Sequence, residues 1–297
     1  MPTLTELQLT FLDSLARDKQ RQSATVASYR RSLERFTAWL QQKTTGGEVA
    51  PQEITAERLR GFGRWLKAWK QPNGGTLSAA AQNYHLSALR SFLSYLHTTG
   101  LTALSAIHVP LLKPERQAVA VLSSAELARL LEAPTQTNES LLVQLRDRAL
   151  LELLLATGLK TAEVARLERS ARTSTNDELK VAQPTSSQRT VKLSHQARFH
   201  LERYLSERKD ATPALFVRHD RAGGQSNQPL TPRSIQRSLE HYRKVANISK
   251  RLTPGSLRHA FAARLLQEGA DHKTVSASLG HRHPTTLKLY HYQAPEV

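Results

Sequence analysis

Apolar residues recur at alternating spacings of three and four through the first hundred positions, and Gly or Pro falls between the runs. That period matches the turn of an α-helix, so the stretch buries a continuous apolar stripe only as helices packed on one another. A first helix is expected over residues 3–17. A second sets Val26, Tyr29, Leu33, Phe36 and Leu40 on one stripe, with Arg30, Arg31 and Arg35 off it. A third carries Leu59, Phe62, Leu66 and Trp69, and a fourth carries Leu86, Leu89, Leu93 and Leu96; a Gln-Pro-Asn-Gly-Gly turn at residues 71–75 separates them. The reading is a four-helix domain with basic residues on its outer faces.

From residue 100 to 121 the helical period lapses, and Pro110 and Pro114 among Lys and Arg positions predict an extended linker. A second domain opens at Ser123, where Glu126 stands at capping-box spacing. Residues 141–157 read as a buried helix ending at Gly158. Two β-like pieces follow, at 178–181 and 189–193, joined by a polar turn at 182–188. Helices are then expected at 194–207, 231–246, 253–267 and 272–279, two of them opening with Thr-Pro. The Gly223-Gly224 region, flanked by Arg218 and Arg221, reads as a mobile loop. The fold class is mainly α with a small β-hairpin.

With 297 residues the chain is long enough for two domains, each with its own core. Its formal net charge of +17 far exceeds what solubility needs and points to a polyanion, most often nucleic acid; the bland alternative is a generally basic surface. Arg30, Arg31, Arg64, Lys67, Lys70 and Arg90 are accordingly either solvated faces or phosphate contacts. The absence of Cys excludes disulfides and thiolate metal sites and fits a reducing compartment. No apolar run approaches the ~20 residues that span a bilayer, and no charged-then-apolar signal opens the chain. The expected location is the cytoplasm, in association with the nucleoid, with no membrane partner.

Three strings carry more specific information. They are Ala156-Thr-Gly-Leu-Lys160-Thr-Ala-Glu163-Val164; Ser256-Leu-Arg258-His259-Ala-Phe-Ala262 with Gly269-Ala-Asp271; and Leu279-Gly-His281 followed nine positions later by Tyr290. His281 lies 23 positions after Arg258. In order and spacing these strings resemble the tyrosine recombinases, or phage integrase family, of the Xer type, over nearly the whole chain. The resemblance implies a helical core-binding (SAM-like) domain at 1–100, a linker at 101–121 and a catalytic domain at 122–297. It also implies that the two domains form a C-shaped clamp around double-stranded DNA, with a homo-oligomer on DNA as a candidate assembly.

It further implies a chemistry. A tyrosine hydroxyl attacks the scissile phosphodiester and forms a 3′-phosphotyrosyl bond, conserving energy without ATP or metal. Two arginines and a histidine or tryptophan hold the non-bridging oxygens, a hairpin lysine protonates the leaving 5′ oxygen, and a second histidine assists. Carried over by position, Arg258 is the second arginine, His281 the later histidine and Tyr290 the nucleophile. The rest departs from the pattern. Lys160 stands at the first arginine and offers charge without a planar two-pronged grip. Pro184 stands where the hairpin lysine is expected, 24 positions after Lys160, and Gly255 where a histidine should precede Arg258 by three. His259, one helical turn from Gly255, and Arg189 or Lys192 on the second strand are candidate substitutes.

Each retained residue also has a structural reading: Arg258 as a surface cation capping a neighbouring helix, His281 as a packed residue at a helix boundary, Tyr290 as an amphipathic core residue. His281, His283 and His291 lack a carboxylate or thiolate at metal-site spacing, so no metal or other cofactor is expected. Only residues 291–297 follow Tyr290, so the helix through which many Xer-like relatives dock on a neighbour is expected to be absent or replaced. The expectation is a DNA-binding relative, accessory or regulatory, with impaired or absent strand cleavage in recombination or mobile-element biology. The alternative is an active recombinase built on Lys160, Arg258, His281 and Tyr290.

Overall fold

The structure is a computed structural model that describes residues 2–17, 23–44, 49–71, 74–101, 104–113, 122–173, 177–182, 188–219 and 228–280. Backbone packing divides the chain into two compact units, Met1–Gln117 and Ala118–Val297.

The first unit packs α1 (Leu4–Arg17), α2 (Ser23–Gln41), α3 (Ala56–Ala68) and α4 (Ala79–Thr98) around one apolar core. Local signals start α3 and α4: the hydroxyls of Thr55 and Ser78 accept from the backbone N–H groups of Arg58 and Ala81. The stripes read from the sequence converge, and Phe11, Phe36, Phe62 and Phe92 are fully buried, Phe36 meeting Phe62 edge-on at 5.0 Å between ring centroids.

Part of the expected linker belongs to this unit. Residues 106–108 form a 3₁₀ turn, Val109 is fully buried, and Arg90 Nε donates to the Ala106 carbonyl at 3.2 Å. Asn83 then clasps Leu112 from both sides, its Nδ2 donating to the Leu112 carbonyl and its Oδ1 accepting from the Leu112 N–H. The lapse of helical period here marks a stretch held by single contacts, which leave no periodic trace. The later linker residues, 114–121, lie outside the described residues.

In the second unit, α5 (Ser124–Glu132) opens with the expected Ser123–Glu126 capping box. α6 (Leu141–Thr157) is buried on nearly all sides and packs against α8 (His195–Glu207) and α10 (Pro254–Gln267). Between them come the one-turn α7 (Thr161–Val164) and an antiparallel hairpin of β1 (Glu178–Ala182) and β2 (Gln188–Lys192), in register Leu179 to Val191 and Val181 to Arg189. Leu179, Val181 and Val191 face the core, as strand alternation requires. α9 (Pro232–Val245) and α11 (His272–Leu279) complete the unit, and α9 and α10 both start at the Thr-Pro pairs. The hairpin turn with Pro184 and the Gly223-Gly224 loop lie outside the described residues. Among the described residues, no helix is long and apolar enough to cross a membrane.

Candidate active site

Helix α6 ends where Gly158 turns left-handed, at φ 59°. The position demands glycine twice over, because a Cβ there would lie 2.6 Å from Phe261 Cδ1 and 2.9 Å from Leu279 Cδ2. The close approach brings the ends of α6 and α11 together beside α10. Into that junction α10 inserts Arg258, 7% exposed, whose Nη1 donates to the Gly158 carbonyl and Nη2 to the Leu279 carbonyl, both at 2.6 Å. Helix C-termini present unsatisfied carbonyls and partial negative charge, so a guanidinium is well suited to joining two of them. The capping reading of Arg258 is therefore correct about the contact, while the residue itself is buried rather than on the surface.

A second arginine approaches the same junction. Arg189 of β2 pairs through both Nη atoms with the Glu163 carboxylate, at 2.8 and 3.1 Å, and its side chain is 10% exposed. Its guanidinium lies against Gly280, the left-handed C-cap of α11 at φ 64°, where a Cβ would sit 2.6 Å from Arg189 Nη1. Glu163 also accepts the Lys160 backbone N–H at 2.8 Å, which starts α7 and sets Lys160 at its exposed N-cap. Burial opposes ionisation of Glu163, but the Arg189 hydrogen bonds and the Lys160 N–H outweigh it, holding the carboxyl below its usual range. Lys160, Glu163, Arg189 and Arg258 thus share one neighbourhood, centred on two glycine-capped helix ends.

His259 is half-buried, and its basicity is lowered first by burial and then by the adjacent Arg258 charge. Gly255 is exposed within the first turn of α10, without a left-handed φ; a Cβ there would meet only Thr253 Oγ1, at 3.3 Å. The backbone therefore does not require glycine where the resemblance calls for histidine. Lys192 is exposed at the end of β2 and, with Thr157, Phe261 and Ser278, edges a cavity of about 450 Å³. His281, Tyr290 and Pro184 lie outside the described residues, as do His283 and His291; Gly280 is the last position described. Among the described residues, no group of three or more His, Cys, Asp or Glu could hold a metal ion.

Of the residues read as phosphate contacts, Arg30 and Arg31 on α2 and Arg64 and Lys67 on α3 are exposed. Two already have partners within the fold. Arg90 is engaged by the Ala106 carbonyl, and Arg189 is committed to Glu163 rather than extended toward solvent. The sequence reading missed the roles of Glu163 and Gly280. Their signals were local: capping-box spacing from Lys160 to Glu163, and a glycine just past a helix end.

The chain matches the model of the phage integrase family over residues 120–296 and that of the phage integrase N-terminal SAM-like domain over residues 9–100. It is 31% identical to tyrosine recombinase XerD of Pseudomonas putida, covering 96% of this chain and 91% of that protein. Against XerC of Thermodesulfovibrio yellowstonii it is 29% identical over 97% of this chain and 92% of the other. Among solved structures it resembles the Tn1549 transposon integrase in complex with a circular intermediate DNA (TM-score 0.75, 18% identity, 99% and 96% of the chains). It also resembles the XerH site-specific recombinase bound to palindromic difH substrate (TM-score 0.70, 20% identity, 97% and 80%). With both of its units matched and XerD-like identity running along nearly its whole length, the chain belongs to the phage integrase family of tyrosine recombinases.

Proposed function

We propose that this protein binds double-stranded DNA and serves site-specific recombination or mobile-element biology as an accessory or regulatory factor whose strand cleavage is impaired or absent. The observation that carries the reading is the composition of the junction around Arg258. One guanidinium is fastened to two helix-end carbonyls, a lysine stands at the α7 N-cap, and glycine occupies the first turn of α10. Lysine brings charge but no planar fork, and each preorganised donor missing from a developing oxyanion costs about 10²–10³ in rate, with losses that do not simply multiply. The net charge of +17 and the exposed cations of α2 and α3 support duplex binding, as do the DNA complexes of the Tn1549 integrase and XerH. A lambda integrase dimer bound to a core site supports assembly of copies on DNA.

A second reading, active cleavage through Tyr290, draws on a different observation. The Glu163–Arg189 pair and the glycine-capped helix ends keep the surroundings of Lys160 and Arg258 ordered, as a working phosphate site would need. The deciding experiment incubates nicked suicide duplexes, drawn from sites flanking the gene, with wild type and Tyr290→Phe on a denaturing gel. Retained binding without a covalent band is expected. A Tyr290-dependent adduct would overturn impaired cleavage, and the paired substitutions Lys160→Arg and Gly255→His should then strengthen that band.

A further inference from the structure

The first unit holds one arginine in a way that its neighbours do not share. Arg35 of α2 is half-buried, and its Nη1 lies 2.8 Å from His85 Nε2 on α4. An arginine can only donate, so His85 Nε2 is the acceptor and the imidazole proton resides on Nδ1. That proton points to Ser32 Oγ at 3.0 Å, and the Ser32 hydroxyl in turn donates to the Ser28 carbonyl. From the other side the guanidinium lies over the Trp69 ring, 4.1 Å from its centroid, and Trp69 rests near Trp65 in a ladder that continues to Phe62. His85 of α4 and Trp69, the extended residue that caps α3, thus hold this guanidinium between them. Burial first, and then the Arg35 charge, lower the His85 pKa to about 4, which keeps the acceptor neutral at physiological pH.

What is missing from this arrangement is a counter-ion. Among the described residues Arg35 makes no ion pair, whereas Arg58 in the same unit pairs with Glu53 at 2.8 Å. The residues one turn away on α2 are Arg31, Ser32, Ala38 and Trp39, none acidic, and Lys70 follows Trp69 directly. Arg31 and Lys70 are both exposed. Holding a cation rigidly without an anion raises the electrostatic cost of the folded state, and that cost is offset only when an anion arrives. Using a single neutral nitrogen and an aromatic face as supports leaves most of the five guanidinium N–H donors for that anion.

Resting on the DNA-binding reading above, we propose that Arg35 is a preorganised contact for a DNA phosphodiester, with His85 and Trp69 as the residues that position it. Exposed Arg30 and Arg31 lose side-chain entropy when they grip a phosphate, while Arg35 is held before the ligand arrives, so its removal should cost more than theirs.

The test is fluorescence anisotropy of a labelled mixed-sequence duplex, titrated with full-length protein across a range of salt concentrations. Arg35→Met should bind about 10-fold more weakly, with a log–log salt slope shallower by about 0.9, the signature of one lost phosphate contact. Arg35→Lys should keep the slope yet bind about 3-fold more weakly, and Trp69→Leu should do the same, because charge persists while the fixed plane is lost. Thermal melts by circular dichroism check that each variant folds, and Arg35→Lys carries the test if Arg35→Met does not. Unchanged affinity and slope in Arg35→Met, or full affinity in Arg35→Lys, would overturn the assignment while DNA binding stands. A wild type that bound no duplex would sink the functional reading and this contact together.

Discussion

In the second unit the buried arginines close on oxygen: Arg146 on Asp147, Arg208 on Asp210, and Arg258 on the carbonyls of Gly158 and Leu279; the nearly buried Arg189 closes on Glu163. In the first unit Arg35 meets a neutral imidazole and an indole face, while Arg30, Arg31, Arg64 and Lys67 lie exposed. The same residue type therefore scaffolds the interior at those positions of the second unit, whereas in the first it meets a ring system at Arg35, a carboxylate at Arg58 and solvent at Arg30, Arg31 and Arg64. Paired charge makes a rigid frame whose shape survives changes of salt, whereas unpaired charge near the surface gives attraction that salt screens. A count of +17 does not distinguish the two; only the partners do.

That contrast is open to direct attack, and the chain supplies a convenient probe. Its three tryptophans, Trp39, Trp65 and Trp69, all belong to the first unit, so fluorescence reports on that unit while far-ultraviolet circular dichroism reports on both. The largest effect is expected for Arg258→Met, which strands two helix-end carbonyls and leaves α11 untied from α6. A loss of about 3 kcal/mol should appear in the urea transition seen by circular dichroism, with the tryptophan transition unmoved. Equal shifts of both signals would mean that the two units unfold as one.

A smaller effect is expected for Glu163→Gln, about 2 kcal/mol at neutral pH in the same dichroism transition, since the amide accepts less strongly from Arg189 and from the Lys160 N–H. The carboxyl is held below its ordinary value, so its contribution is present above that value and lost as pH falls through the folded one. The gap between variant and wild type should therefore begin to narrow as pH falls below about 4.3, the ordinary glutamate value, and close once pH has passed the lowered folded one. A gap that persisted there would show that the pair matters through shape rather than charge.

The smallest effect concerns His85, whose folded pKa of about 4 lies below its ordinary 6.5. A base held below its ordinary value contributes stability that is present above pH 6.5 and lost as pH falls toward 4. After discounting for solvent screening at this half-buried site, the loss is about 1–2 kcal/mol. His85→Leu should flatten the tryptophan-monitored stability between those limits; an unchanged slope would show that Arg35 is not held by a neutral imidazole.

How much of this was legible beforehand depended on the range of the signal. Helix starts were readable because their determinants sit three residues apart, as at Ser123 and Glu126 or Thr253 and Ser256. The Ala106 turn was not, because one buried valine and an arginine 16 positions away hold it. For the site, spacing singled out Lys160, Gly255 and Arg258, but it did not reveal that Arg258 is buried or that Arg189 is engaged by Glu163. Those contacts span 100 and 26 positions, and a guanidinium looks the same in sequence whether it faces water, a carboxylate or a carbonyl.

By itself the sequence determined the helical character, the family resemblance and the excess of positive charge, since each is written in spacing, motif or count. Only the tertiary structure decided which cations meet a carboxylate or carbonyl and which meet an imidazole, an indole or solvent. Charge compensation is a property of distances of a few ångströms, and distances between remote residues exist only once the chain has packed.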